Sequence, residues 1–141
     1  MRTNHRPHGY QSVTPYFTVS GAEEFIGFLK NVFEAEELQR GVDDTNSIQH
    51  AEVRIGNTIV EISEANKEFA PRTNALHLFV SDVDASYKRA LESGCTLLYE
   101  IADMPYGERS GGVVDPHGNH WYIATFTGGE GQGYGGGQVR T

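Results

Sequence analysis

The sequence predicts an α+β fold assembled from two copies of one βαβββ unit. Three observations carry this. First, strand-like and helix-like segments recur in the same order in the two halves of the chain. Second, short pairs return at nearly equal offsets: Val19-Ser20 as Val80-Ser81 (80 − 19 = 61), and Gly56-Asn57 as Gly118-Asn119 (118 − 56 = 62). Third, 141 residues suffice for one ordinary core but not for two full domains, and two copies are too few for a solenoid. The copies are therefore expected as a pair of packed modules.

The first copy opens with VTPYFTV (13–19), a strand, and continues into a helix over about 21–33, where Phe25, Phe28, Leu29 and Val32 recur at helical spacing. ELQRGV (37–42) supplies a further strand. QHAEVRI (49–55) and TIVEIS (58–63) form a hairpin, because Gly56-Asn57 is a strong two-residue turn signal. The second copy opens with ALHLFV (75–80), then a helix from Asp82 to Ser93 stopped by Gly94. The strands CTLLYE (95–100), SGGVV (110–114) and HWYIAT (120–125) follow. Asp115-Pro116 and Gly118-Asn119 reverse the chain between the last two. One domain over 13–127 results, with modules at about 13–65 and 74–127. Residues 1–12, polar and without period, are expected as a flexible leader, and the Gly-rich residues 128–141 as a flexible tail.

A composition of 38% hydrophobic and 21% charged residues is that of an ordered globular chain. Eleven Lys and Arg against nineteen Asp and Glu give a net charge of -8, with no basic run to neutralise phosphates, so nucleic acid is excluded as a partner. No apolar stretch reaches the roughly 20 residues that cross a bilayer. The N-terminal MRTNHRPHGYQSV lacks an apolar signal region, so neither membrane anchor nor export signal is expected and the location is cytoplasmic. The single cysteine, Cys95, is expected as a small buried core residue.

Side chains alternate along a strand, which sorts each segment into two faces. Leu76, Leu78 and Val80 oppose Ala75, His77 and Phe79; Ala51, Val53 and Ile55 oppose His50, Glu52 and Arg54; Val60 and Ile62 oppose Ile59, Glu61 and Ser63. The apolar sets belong under the helices. Trp121 is expected in the core beneath a helix, His120 and Tyr122 on the opposite face, and His117 solvated in its turn. One surface then collects Tyr16, Thr18, His50, Glu52, Arg54, Glu61, His77, His120 and Tyr122, too polar for a dry core. A concave surface of this make-up suits a small molecule; the competing reading is a wet sheet face or a dimer contact.

The motifs PYFTV, HAEVRIGNTIVEIS, LHLFVSDVDASYKRALESG and GERSGGVVDPHGNHWYIAT, in this order over roughly residues 12–126, make the chain similar to the glyoxalase / bleomycin-resistance / dioxygenase (vicinal oxygen chelate) superfamily. Within it the chain resembles the PhnB-like branch. The resemblance implies an incomplete barrel around a cavity between the modules, completed in a homodimer. In metal-using members four strand positions give His, Gln or Glu ligands to a divalent ion such as Zn, Ni, Mn or Fe. Carried over, they fall on Thr14, Glu61, Ala75 and Tyr122, of which Glu61 alone is an ordinary ligand type.

The resemblance thus implies a small-molecule binder without the usual metal quartet. Tyr16, His50, Arg54, Phe79, Arg109, His120 and Tyr122 are its expected ligand contacts. ADMPYGERSGG (102–112) is expected as a loop before the penultimate strand; in the family its Gly-x-Arg segment borders the cavity mouth, so Arg109 would meet an anionic group, or else pair with Glu108 or Asp115. Three alternatives stand beside this reading. One is a metal-dependent lyase, isomerase or dioxygenase with a displaced site using Glu61 and His77. Another is metal-free sequestration of an antibiotic, which the negative charge suits if the drug is cationic. The third is an enzyme without metal, with Glu61 as general base and His77 as its partner.

Overall fold

The computed structural model describes residues 5–128, which form two units divided between Thr73 and Asn74. The first unit runs β1 (Tyr16–Val19), α1 (Ala22–Phe33), β2 (Glu36–Val42), β3 (Ile48–Ile55) and β4 (Thr58–Glu64). The second runs β5 (Ala75–Phe79), α2 (Val83–Glu92), β6 (Thr96–Met104), β7 (Glu108–Val114) and β8 (His120–Phe126). Their sheets share one topology, β1-β4-β3-β2 and β5-β8-β7-β6. In each, the first strand runs parallel to the last and the other pairs are antiparallel. Even the register repeats: Tyr16 lies opposite Glu61 and His77 opposite Tyr122, offsets of 77 − 16 = 61 and 122 − 61 = 61. The α+β class and the two βαβββ modules are as the sequence predicts, built on two open, mixed, four-stranded sheets.

Helix α1 buries Phe25, Ile26, Phe28, Leu29, Val32 and Phe33, a stripe at helical spacing that packs on its sheet. Its entry needs a glycine, since Gly21 sits at φ 92. No side chain of the helix's own first turn caps it. Glu64, at the end of β4, does so instead: its two carboxylate oxygens each accept a bond at 2.9 Å, from Gly21 N and Ala22 N. A negative charge on the first N–H groups is also favoured by the helix dipole. Glu64→Ala is therefore expected to cost about 1–2 kcal/mol, read as a lower urea midpoint, with Glu64→Gln losing less. An unchanged midpoint for the alanine variant would contradict the cap.

The second unit repeats the device at the equivalent place, 125 − 64 = 61. Thr125 Oγ1 accepts from Val83 N at 3.0 Å and donates to Val80 O at 2.8 Å, while the Asp82 side chain accepts from Ala85 N at 3.2 Å. The last strand of each unit thus fixes the start of that unit's helix.

Parity sorts the faces as expected. Phe17, Ala51, Val53, Val60 and Ile62 are buried in the first unit, with the Phe17 and Phe25 rings 4.8 Å apart. Val113, Trp121 and Ile123 are buried in the second. Leu76 and Leu78 are only half-buried. At Gly111 a Cβ would stand 2.6 Å from the Tyr87 ring of α2, so this close approach of helix and strand requires glycine. Cys95 is buried as expected; desolvation first, then the charge of Asp115, push its thiol up to about 12, which keeps it protonated and unreactive at neutral pH.

Some boundaries differ from the sequence reading. The strand expected from residue 13 begins at Tyr16, and the strand expected at 95–100 extends to Met104. The loop expected at 102–112 is a tight hairpin, with Met104 paired to Glu108 and Gly107 at φ 99 supplying the reversal. Part of the polar leader also makes specific contacts. The Gln11 side-chain amide imitates a strand neighbour, donating to Ile59 O at 2.6 Å and accepting from Ile59 N at 3.3 Å. Ile59, which parity puts on the polar face, is buried beside this segment. The Gly-rich tail beyond residue 128 lies outside the described residues.

Candidate functional site

On the face of the first sheet opposite α1, register aligns Tyr16, Glu61, Glu52 and Gln39 in one row across four strands. His50, two residues before Glu52, reaches diagonally: its Nε2 lies 2.8 Å from Glu61 Oε1. The Tyr16 ring is 6.3 Å from the His50 ring. The leader adds Tyr10, whose hydroxyl bonds to Glu52. Burial first, then that bond and the charges of Glu52 and Glu61, push the Tyr10 phenol up to about 12, so it is a hydrogen-bond donor at neutral pH. Arg54 shares the face by parity, but its guanidinium is held 2.8 Å from Glu36 on exposed β2.

On the second sheet, the face opposite α2 carries the row His77, Tyr122, Gly112 and Tyr99. His77 Nε2 lies 3.0 Å from Glu108 Oε1, and the Tyr106 hydroxyl donates to the other carboxylate oxygen at 3.4 Å. Burial, then the charge of Glu108, push the Tyr106 hydroxyl up. Tyr99 and Ser110 share a hydrogen bond of 2.7 Å. Phe79 lies 4.6 Å from the His77 ring, and Tyr122 stands 6.4 Å from both Tyr99 and His120, centroid to centroid. Gly112 has no freedom to be larger, since the Tyr99 ring lies closer than a Cβ would allow. Each face therefore presents an imidazole bonded to a carboxylate among aromatic rings.

The structure gathers Tyr16, His50 and Glu61 on one sheet face and His77, Phe79, His120 and Tyr122 on the other. Glu61 and His77 each find a partner in their own unit, His50 and Glu108. Arg109 is not brought to the His77 face. It shares parity with Gly111 and Val113, on the helix side, and its fork holds Asp84 of α2 at 2.9 and 3.0 Å, with Asp103 at 3.4 Å. Those bonds push the guanidinium up and hold the Asp84 carboxyl below its usual range. Neither pairing considered for Arg109, with Glu108 or with Asp115, is present among its hydrogen bonds. His117, expected to be solvated, is half-buried in the turn.

Sequence reasoning missed Glu108 as a face residue, along with Ser110, Tyr99 and Tyr10. A signal for Glu108 existed: stepping back by twos from Gly112, opposite Tyr122, reaches Ser110 and then Glu108. Nothing in the leader's pattern pointed to Tyr10.

The positions carried over from metal-using relatives do not make a metal set. Ala75 offers a methyl group, and the Thr14 hydroxyl accepts from Gln11 Nε2 at 3.2 Å. Glu61, the one ordinary ligand, is bonded to His50. Among the described residues no three His, Cys, Asp or Glu side chains are grouped to hold a metal ion. Nor is any helix among them long and apolar enough to cross a membrane.

Residues 11–123 match the family model of the Glyoxalase/Bleomycin resistance protein/Dioxygenase superfamily. The uncharacterized protein Mb0911c of Mycobacterium bovis is 32% identical over 123 residues, covering 79% of this chain and 81% of its own. Among solved structures, TioX from Micromonospora sp. ML1 superposes with a TM-score of 0.65 at 21% identity, over 82% of this chain and 99% of that one. The fosfomycin resistance protein FosX from Listeria monocytogenes gives 0.64 at 21% identity, over 83% and 94%. At that identity the two structures speak for the fold alone.

Proposed function

The chain belongs to the glyoxalase/bleomycin resistance protein/dioxygenase superfamily, and from that premise we propose that it binds a small molecule against the sheet faces opposite its helices, without the metal quartet of the metal-using members. One observation carries the proposal. Each face sets a carboxylate-bonded imidazole among aromatic rings, His50 with Glu61 near Tyr16, and His77 with Glu108 near Phe79 and Tyr122. Directional polar groups beside flat apolar surface are what small-molecule recognition uses. On the same reading the chain is a PhnB-like member and a homodimer, as the family resemblance implies, and it is cytoplasmic.

A thermal-shift screen tests this with three sets of compounds: neutral planar aromatics and enols, anionic carboxylates and phosphonates, and cationic glycopeptide antibiotics. At least one of the first two sets is expected to raise Tm by several degrees at saturating concentration, as binding to the native state requires. Glu61→Gln or Glu108→Gln should reduce that shift. A response to the cationic antibiotics alone would favour sequestration, the second reading, which the net charge of -8 supports. No shift with any set would overturn the proposal. Dialysis against Zn, Ni, Mn or Fe(II) followed by elemental analysis is expected to leave no stoichiometric metal; a full equivalent lost in Glu61→Ala would instead point to a displaced metal site.

A further inference from the structure

On the second sheet a buried carboxylate meets an imidazole that reaches solvent. Glu108 is 2% exposed while the His77 side chain is 39% exposed, and the two are joined through Nε2 and Oε1 at 3.0 Å. With the ring donating from Nε2 to the carboxylate, the neutral imidazole keeps its lone pair on Nδ1. Tyr106 donates to the second oxygen of Glu108, which steadies the carboxylate from the far side.

We infer that His77 is an acid–base residue held by Glu108 as its positioning residue, acting on a neutral planar molecule that carries an acidic C–H or O–H. The inference rests on the small-molecule reading above and names its substrate class. Flatness follows from the neighbours. Phe79 lies 4.6 Å from His77, Tyr122 is beside His77 in register, and Tyr99 is inclined only 20° to Tyr122 across side-chain-free Gly112.

Neutrality follows from the charges. The titratable groups on this face are His77, His120, Tyr99, Tyr106, Tyr122 and Glu108; it has no Lys or Arg among its described strand residues, Arg109 being turned to Asp84. A dianion would meet no fixed cation here. In the step, the substrate X–H bond breaks, its electron pair stays on X, and the proton forms an N–H bond at Nδ1. The Glu108 carboxylate stabilises the imidazolium, and return of the proton to another substrate atom or to a leaving group closes the cycle. No oxidant or reductant is needed.

The test uses the full chain and 5-nitrobenzisoxazole, a planar neutral C–H acid. Loss of its ring C–H proton breaks the N–O bond and releases coloured 2-cyano-4-nitrophenolate. His77→Ala is expected to lose on the order of 100-fold in rate, partly restored by added imidazole. Glu108→Gln should lower kcat about tenfold and leave KM within about twofold, where a merely unfolded variant would lose both; His77→Gln guards against a misfolded alanine variant. Equal rates in the wild type and both His77 variants would overturn the inference. Saturation-transfer NMR with the same probe separates the failures: binding without His77-dependent turnover sinks the inference alone, and no binding sinks it together with small-molecule recognition of this class.

Discussion

Asp115→Ala is expected to destabilise the fold by about 3–5 kcal/mol, through loss of a buried charge that several donors share. Asp115 is buried in the β7–β8 connection and accepts from His117 N at 2.8 Å, Asn119 N at 3.0 Å and Trp121 Nε1 at 2.8 Å. The Asn119 side-chain amide adds a bond at 3.1 Å, and its carbonyl oxygen accepts from Asn74 N at 2.8 Å, tying the turn to the start of β5. Asn119 and Trp121 are themselves buried, so their donors cannot turn to water once the carboxylate is gone. Guanidinium unfolding checks the size of the loss, and near-UV dichroism of Trp121 checks its place. A loss below about 1 kcal/mol would mean that the turn holds without its hub.

Phe17→Ala should cost a similar amount, about 3–5 kcal/mol, as a fully buried aromatic ring replaced by a methyl group. Phe17 is completely enclosed and meets Phe25 of α1, on a strand of only four residues. Phe79, on the second unit's opposite sheet face, is the control because it is 49% exposed. Phe79→Ala should change stability by no more than about 0.5–1 kcal/mol. Equal losses for the two would show that face, as read from alternation, does not govern packing here.

Much of the fold was legible in the sequence because its signals are local. Helical spacing at Phe25, Phe28, Leu29 and Val32, turn pairs at Gly56-Asn57 and Gly118-Asn119, and strict alternation in QHAEVRI are each decided within a few residues. The same 61-residue offset also relates the helix caps of Glu64 and Thr125. The site was harder. Alternation put His50, Glu61 and His77 on polar faces, but which carboxylate each imidazole meets depends on cross-strand register, and a shift of one residue exchanges the faces. Arg109 shows this: the sequence pattern places it in a loop, but β7 starts at Glu108, so the arginine turns to the helix side while its neighbour Glu108 takes the polar face. Tyr10 reaches Glu52 from a segment with no period at all, which only tertiary structure can reveal.

Which face holds a ligand can be decided by an NMR titration of the isotopically labelled chain with the first compound that raises Tm. Shifts concentrated at His77, Tyr122, Tyr99 and Ser110, or at His50, Glu61 and Tyr16, with Arg109 and Asp84 unmoved, are the expected result. Shifts concentrated at Arg109, Asp84 and the exposed sides of the helices, with both histidines unmoved, would place the ligand elsewhere and end the proposal.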